Sequence, residues 1–389
     1  MDIPKFVVIG GGFSGAVFAE RVAEMLNEQI LIVEKREHIG GNSYDYKSEE
    51  GIFVHKYGPH IFHTDYDIVW DYLLNFSSFN NYKHKVLAYI DGKYIKLPFD
   101  FQGIEEFFKE RKEKIKERLL ENYKISDKVP IYELLNSKDK LLKEIGEFVY
   151  NKIFLNYSIK QWGENPLNLS KEILKRVPVY IGIKDGYFEN RYEGIPEKGF
   201  INIFNNMLKN ENIGIKLKTD VKEFFYLKDG MIYTKDNKVF DGYFIYTGPI
   251  DYLFDYKFGK LPYRSLKFDF QKIDKEYYQK AAVVNYPNDY DFTRITEYKH
   301  FIEIKTSKTI ISKEFPGEYD ENNKEFNIPY YPILKEENIN ILSKYLNESK
   351  KYKKLYLIGR LAEYKYYNMD EVILSALNLY NKEFEDKNK

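Results

Sequence analysis

Phe6-Val7-Val8-Ile9-Gly10-Gly11-Gly12-Phe13-Ser14-Gly15 is the stretch that decides the fold. Four apolar residues make a strand, and glycines turn it into a helical pattern running from Ala16 to about Leu26. Gly10 permits the tight turn, Gly12 leaves no Cβ in the path of a pyrophosphate, and Gly15 lets the helix pack closely on the strand. The helix N-terminus adds free N–H groups and the positive end of a dipole. A second apolar strand, Ile30-Leu31-Ile32-Val33, ends in Glu34, about 20 residues on, where a carboxylate holds a ribose hydroxyl. A glycine turn alone fits an ordinary βαβ unit. Strand, turn, helix, strand and acid together predict a bound dinucleotide on a Rossmann-like α/β domain.

The residues after Glu34 select the dinucleotide. Lys35-Arg36-Glu37-His38-Ile39-Gly40-Gly41-Asn42 is a second glycine turn, and it resembles the extended adenine-dinucleotide motif of FAD-binding proteins, which favours FAD over NAD. Near the C-terminus, Leu355-Tyr356-Leu357-Ile358-Gly359-Arg360 is another strand running into glycine. A helical pattern opens at Asp370, with Val372, Ile373, Leu374, Ala376 and Leu377. This returning strand and helix would close the flavin site.

Composition narrows the function classes. Among 389 residues, Lys+Arg and Asp+Glu are 60 each, so no global field gathers nucleic acid or anionic lipid. No apolar run approaches the roughly 18 to 20 residues needed to span a bilayer, and Met1-Asp2-Ile3-Pro4-Lys5 leads into the first strand without a signal-peptide pattern. A cytoplasmic protein with no membrane insertion is expected. With 0 cysteines, thiolate nucleophiles, disulfides and cysteine-ligated metal are excluded. His60 and His63 have H-x-x-H spacing, but no HE-x-x-H helix or nearby acid cluster accompanies them, so no metal is expected. His38, His55 and His300 read as structural or exposed.

Along the chain, Ile104, Phe107, Phe108, Ile115 and Leu119 mark one amphipathic helix over Ile104 to Lys124 with a solvated Lys/Glu face. Helical text continues through Tyr132–Leu135 and Leu141–Phe154, so residues 101–178 read as an all-helical insertion whose last helix ends at Pro178. Beyond it, Ile213–Leu217, Val221–Leu227, Met231–Thr234 and Val239–Tyr246 read as antiparallel strands. Most of the 37 tyrosines are core by default. Tyr157, Tyr187, Tyr330, Tyr331, Tyr364, Tyr366 and Tyr367 stand instead in polar, glycine- or proline-punctuated segments.

At these segments the chain resembles the bacterial UDP-galactopyranose mutase family over almost its whole length. An ordered set of motifs carries the resemblance: Ile39-Gly40-Gly41-Asn42-Ser43-Tyr44, Tyr57-Gly58-Pro59-His60-Ile61-Phe62-His63-Thr64, the segment Tyr157 to Gly163, Lys175-Arg176-Val177-Pro178, Tyr246-Thr247-Gly248-Pro249, Tyr263-Arg264-Ser265-Leu266, Thr293-Arg294-Ile295-Thr296-Glu297, Pro329-Tyr330-Tyr331-Pro332 and the segment Gly359 to Asp370. The resemblance implies interconversion of UDP-galactopyranose and UDP-galactofuranose with FAD in its reduced form and no net redox change. It implies that flavin N5 bonds sugar C1 as UDP departs. It further implies a flavin–sugar iminium and reclosure of the ring through O4 instead of O5.

Site roles follow from the same resemblance. Arg176 and Arg294 match the pyrophosphate arginines, a task suited to a planar, permanently charged fork. Phe154 and Tyr157 match the uridine-stacking region and Trp162 the sugar position. Tyr187, Tyr331 and Tyr366 match diphosphate-binding tyrosines. Asn368 and His84 complete the substrate set, with His84 where some members have Asn. His60 is implied near flavin N5 with His63 in support, so Arg176, Arg294 and His60 form the catalytic set. Cofactor contacts are implied at Gly10, Gly12, Phe13, Ser14, Gly15, Glu34, Lys35, Gly41, Asn42, His60, Ile61, Val221, Arg360, Tyr367, Asn368 and Met369.

The expected organisation is a discontinuous FAD-binding domain (residues 1–80, 196–260 and 340–389) and a helical domain (101–178) with a mobile lid at about 162–178. An antiparallel sheet domain for substrate (81–100, 179–195 and 261–339) completes it. Alternative readings keep the mutase chemistry on UDP-N-acetylgalactosamine or dTDP-fucose. Another class is an FAD-dependent amine-oxidase-like oxidoreductase, sharing the fingerprint without the arginine and tyrosine set; a non-catalytic nucleotide-sugar binder comes last. With no second dinucleotide fingerprint, an external reductant such as NAD(P)H is expected, and the resemblance implies a homodimer.

Overall fold

The computed structural model describes residues 3–166 and 178–385. Phe6–Ile9 is the central strand of a five-stranded parallel sheet in the order Ile213–Lys216, Ile30–Val33, Phe6–Ile9, Tyr243–Tyr246, Leu355–Leu357. Side chains alternate across a strand, so Phe6 and Val8 enter one apolar cluster while Val7 and Ile9 enter another. Both faces are therefore covered, which is why this strand is apolar throughout. Phe13–Met25 and Met369–Tyr380 pack together over one face with Phe200–Met207, and Glu336–Ser349 contributes Leu342 and Tyr345 to the other. This is the doubly wound, Rossmann-like architecture, and it brings the turn after Ile9 and the turn after Ile358 to the same end of the sheet.

A seven-stranded sheet runs Tyr331–Pro332, Tyr263–Ile273, Thr309–Glu318, Arg294–Glu297, Val283–Asn285, Val86–Ile90, Lys93–Leu97. Its pairs are antiparallel except Val283–Asn285 with Val86–Ile90. Val86, Ala88, Ile95 and Leu97 pack into one cluster with Ile104, Ile115, Leu134, Ile145 and Phe154 of the helices. The fold class is thus α/β with a helical insertion and a mainly antiparallel second sheet. Among the described residues no helix is long and apolar enough to cross a membrane.

Several local expectations are corrected. The expected helix from Ile104 to Lys124 is two helices, Phe101–Phe107 and Lys112–Asn122. An apolar stripe continued through the middle would need Arg111 and Lys112 in the core, so the chain turns at Phe108 to Arg111 and brings Ile104 and Ile115 to the core separately. The insertion is not all-helical: Lys128–Pro130 pairs with Pro178–Tyr180 as a ribbon, and Pro178 opens a strand. Strands of three residues give too little periodicity to recognise. Val221–Leu227 starts as a helical turn, Val221–Phe224, because Asp220 and Glu223 form a capping box. Ile213–Lys216 and Tyr243–Tyr246 are parallel strands rather than antiparallel ones.

Candidate functional site

Two cavities meet beside the glycine turn. The smaller, about 450 Å³, is lined by Gly10, Gly12, Phe13, Ser14, Glu34, Lys35, Gly41 and Val221. The larger, about 640 Å³, is lined by Ile61, His84, Phe154, Tyr157, Trp162, Tyr187, Arg294, Tyr331 and Tyr366. Asn42, Tyr57, His60, Arg360, Asn368 and Met369 line both. Both volumes fall in the range of small-molecule sites. Gly15 lies behind the smaller cavity, where an added Cβ would collide with the Gly10 carbonyl and Val8. Tyr367 is set apart: its hydroxyl bonds Glu363 at 2.9 Å, and its carbonyl accepts from Arg360. Lys35 lies at the rim, 72% exposed and 3.5 Å from Asp220. Arg176 and most of the expected lid lie outside the described residues.

The smaller cavity has the features of a dinucleotide cradle. No side chain caps the helix Phe13–Met25 and its first turn holds no acid, so its terminal N–H groups face an anion unchallenged. A Cβ built on Gly12 would meet Gly41 at 3.6 Å and one built on Gly41 would come within 2.9 Å of Gly12, so the two glycine turns pack on each other and present bare backbone to the cavity. Glu34 is buried, accepts from Gly11 N at 2.7 Å and Arg36 N at 2.8 Å, and keeps lone pairs for ribose hydroxyls. Arg36 stacks over Tyr57 at 4.3 Å and donates to Asn42 at 2.8 Å, while its buried Nη1 has no partner. A guanidinium nitrogen buried without an acceptor is costly unless an anion completes it. The residues present therefore fit an adenine dinucleotide.

In the larger cavity one wall is aromatic. Tyr331 and Tyr366 stack at 5.3 Å, Trp162 lies 6.3 Å from each, and Arg360 is 5.2 Å from the Tyr331 ring. Arg360 is itself aimed by carbonyls, donating to Tyr367 at 3.0 Å and Tyr330 at 3.2 Å. A π-helical turn, Tyr150–Phe154, running into the helix Leu155–Trp162, supplies that tryptophan and the adjoining wall. The extra residue of a π turn rotates the facing of the helix beyond it, and here Phe154, Tyr157, Gln161 and Trp162 all reach the cavity.

Arg294 lies at the end of a strand, paired across a hairpin with Asn285. Its Nε and Nη2 both reach Glu314 Oε2 at 2.7 Å, and Glu314 is buried. Burial opposes the Arg294 cation, and the Glu314 carboxylate outweighs it and raises its pKa. One face of the guanidinium is thereby fixed and Nη1 is left for a ligand. Burial raises the Tyr157 phenol and pushes Tyr331 up to about 12, so both stay protonated donors.

Two histidines of the larger cavity, His60 and His84, are held neutral by burial. Burial pushes His60 down to about 4, with Arg360 and Arg294 adding to it. His60 Nδ1 lies 2.7 Å from the Gly58 carbonyl, which only accepts, so Nδ1 carries the hydrogen and Nε2 offers a lone pair where the cavities join. His84 is pushed by burial to about 3, touches Tyr82 at 3.0 Å, and holds Tyr187 through its carbonyl. His63 stacks on Phe188 and bonds Asn190. Among the described residues no His, Asp and Glu group is arranged to hold a metal ion.

Several site residues escape a reading by motif. Asn285 and Gln161 each leave a buried amide oxygen without a partner on the cavity lining. Glu314 is far from Arg294 in sequence and has no motif of its own. Arg264 donates to the carbonyls of Lys160 and Gln161 at 3.1 and 2.8 Å and so ends the helix below Trp162. Only Arg36 and Arg264, inside recognisable motifs, carried a visible signal.

Known proteins resemble this architecture. The family described as UDP-galactopyranose mutase matches residues 152–366, and a Rossmann-like NAD(P)-binding domain matches residues 8–76. The UDP-galactopyranose mutase of Mycoplasma genitalium is 35% identical, covering 95% of this chain and 92% of its own. The dTDP-fucopyranose mutase of Escherichia coli is also 35% identical, covering 96% of each. A crystal structure of reduced UDP-galactopyranose mutase superposes with a TM-score of 0.73 at 16% identity, covering 100% of this chain and 95% of that one, which speaks to the fold. With the fingerprint, the arginine and tyrosine cavity and near full-length relatives in agreement, the chain belongs to the UDP-galactopyranose mutase family.

Proposed function

We propose that this protein interconverts the pyranose and furanose forms of a nucleotide-linked hexose, with UDP-galactose the leading substrate, and uses FAD in its reduced form. One observation carries the reading. The dinucleotide cradle and the arginine-tyrosine cavity share a single junction at Asn42, His60, Arg360 and Met369, so a cofactor's reactive end and a sugar would meet there. Ring contraction requires the bond from C1 to the diphosphate to break, the ring oxygen to leave C1, and the other hydroxyl to close on it. Reduced flavin, when bound, supplies an electron-rich nitrogen able to bond the anomeric carbon during this exchange.

The chain's own residues bind, orient and handle protons. Arg294, braced by Glu314, keeps the departed diphosphate in place for return, worth about 4 kcal/mol at an effective dielectric near 20 before desolvation. Tyr187, Tyr331 and Tyr366 offer phenol donors to its oxygens, Phe154 and Tyr157 are proposed against the uridine, and Arg176 is proposed as the second cation. Asn285 and Gln161 offer amides of the kind that pair with the O4 and N3–H edge of a pyrimidine. His60 Nε2, neutral at pH 7, accepts and returns the proton of a sugar hydroxyl. In the cradle, Glu34 takes the ribose hydroxyls, and the helix Phe13–Met25 with Arg36 takes the pyrophosphate. A reductant of the NAD(P)H class would reduce the cofactor from outside, and a homodimer is the proposed assembly.

The test is turnover of dithionite-reduced protein against UDP- and dTDP-linked furanoses. The reading requires conversion of UDP-galactofuranose to the pyranose only after reduction, with no electrons consumed per turnover. Stoichiometric electron consumption would indicate an oxidoreductase instead. A dTDP-linked sugar turned over faster than UDP-galactose would move the substrate assignment without changing the chemistry.

A further inference from the structure

Between the two nucleotide-facing walls lies a contact made by Lys160, which stands within the segment Tyr157 to Gly163 but has been given no role so far. Lys160, on the last turn of the helix Leu155–Trp162, donates from Nζ to the Tyr286 carbonyl at 2.8 Å and the Phe292 carbonyl at 3.2 Å. Those two carbonyls close the mouth of the loop joining Val283–Asn285 to Arg294–Glu297. Tyr286 follows Asn285 directly, and Phe292 stands two residues before Arg294. One ammonium thus ties both ends of the loop, next to the amide and guanidinium that face the ligand, to the helix that carries Tyr157 and Trp162. The same two elements are joined further out, where Asn156 donates to the Asn288 side chain at 2.9 Å and Asn288 donates to the Lys152 carbonyl at 2.9 Å.

Among the described residues no carboxylate lies within ion-pair distance of Lys160; Asp289 and Asp291 of the loop act on it only from further away. Burial lowers its pKa, yet the two carbonyls keep an ammonium useful there. Its partners are backbone oxygens, and its own charge sits at the negative end of its helix. On the far side of that turn, Arg264 grips the carbonyls of Lys160 and Gln161. The turn is therefore held from both sides, toward the hairpin by its own side chain and toward the long sheet strand by Arg264.

We infer that Lys160 is a positioning residue for nucleotide binding, its ammonium setting the separation between the helix and the hairpin that form the walls of the slot for a pyrimidine nucleoside diphosphate. This rests on the nucleotide-sugar reading and adds to it the part that fixes the slot's width. Loss of the ammonium frees the Asn285 and Arg294 ends of the hairpin together, so affinity for the nucleotide falls while the flavin cradle is untouched.

The experiment uses flavin-loaded protein with UDP alone as probe, compared across wild type, Lys160→Met and Lys160→Arg. Calorimetry should give a Kd for UDP weakened roughly ten-fold in Lys160→Met, with KM rising in step and kcat within about three-fold of wild type by the same ratio arithmetic. Lys160→Arg, which keeps the donors, should recover much of the affinity. Amide hydrogen exchange over residues 286–293 should speed up in Lys160→Met, and flavin content should stay at the wild-type level. UDP affinity unchanged in Lys160→Met would overturn the inference, as would flavin lost in parallel with UDP. If wild type binds neither UDP nor dTDP, the nucleotide-sugar reading fails, and this inference with it. If wild type binds UDP normally and Lys160→Met matches it, the slot claim alone fails.

Discussion

The cradle and the cavity beside it are built from different material. Around the smaller space the walls are largely backbone: the turn Gly10 to Gly12, the turn Gly40 to Gly41 and the end of the helix Phe13–Met25, with Glu34 bracing Gly11 and Arg36 from one carboxylate. Around the larger space the walls are side chains from separated segments, each aimed by a partner: Arg294 by Glu314, Arg360 by the Tyr367 and Tyr330 carbonyls, Tyr187 by the His84 carbonyl. A backbone site is specified by a short local run and fails when space is filled. A side-chain site is assembled over long range and fails when one charge is removed. Substitutions in the two regions should therefore separate flavin retention from nucleotide binding.

The largest effect is expected at Arg294. Arg294→Ala leaves the Glu314 carboxylate buried without its cation and removes the diphosphate contact, a loss of about 3–5 kcal/mol. Turnover of the reduced protein should fall by roughly a thousand-fold while flavin absorbance per protein is unchanged; near-normal kinetics would remove Arg294 from the diphosphate site. The converse substitution is Gly15→Val, whose side chain would enter the Gly10 carbonyl and Val8. Overpacking of about 1–3 kcal/mol should appear as a lower Tm and loss of flavin. Retention of a full flavin spectrum would mean that the turn is not the cofactor site.

A finer division comes from Arg36. If its buried, unpartnered Nη1 serves the dinucleotide, Arg36→Gln should weaken FAD binding by about ten-fold, the loss expected of one charge-assisted hydrogen bond. UDP affinity of the protein saturated with FAD should not change. Fluorescence titration of apoprotein with FAD reads the first and calorimetry with UDP the second. A drop in UDP affinity alone would move Arg36 to the other side of the boundary.

The same division explains what could be read from the chain. The cradle is local, so strand, turn, helix and acid lie within Phe6 to Glu34 and their spacing announces the ligand. The cavity's motifs became legible only as an ordered family set, because nothing near Arg294 points to Glu314 and nothing near Tyr157 points to Asn285. Local reading also misjudged elements whose identity depends on contact. Three-residue strands such as Lys128–Pro130 exist because a distant partner supplies their hydrogen bonds. The charged middle of residues 104–124 could have been solvated in one helix, and only the shared core forces the break. Lys35 and Arg36 are adjacent and both cationic, and tertiary structure sends one to solvent and the other over Tyr57.

The smallest effect separates the regions by acidity. His60, where the two spaces join, and His84, in the larger one, are held neutral by burial, at about 4 and about 3. A histidine whose folded pKa is depressed contributes stability that is fully present above its unfolded value of about 6.5. That contribution is lost as pH falls toward the folded pKa, because the unfolded chain takes up the proton first. Each group should therefore cost about 0.8 kcal/mol by pH 6 relative to pH 7.5. Asp45 and Asp251, raised by burial to about 6, act in the opposite sense, since their stability declines as pH rises from about 4 through 6. A bare stability curve mixes these terms, whereas the difference between wild type and His84→Asn isolates one. Urea unfolding at pH 7.5 and pH 6 should find wild type losing more than the variant by that amount. UDP affinity of the folded protein should stay constant over the same interval, since folded His84, which lines the larger cavity, holds no proton until pH nears about 3. Equal losses in both proteins would mean that His84 titrates as though exposed, and a fall in UDP affinity across the interval would mean that it takes up its proton in the folded protein, on the side-chain-built side of the boundary.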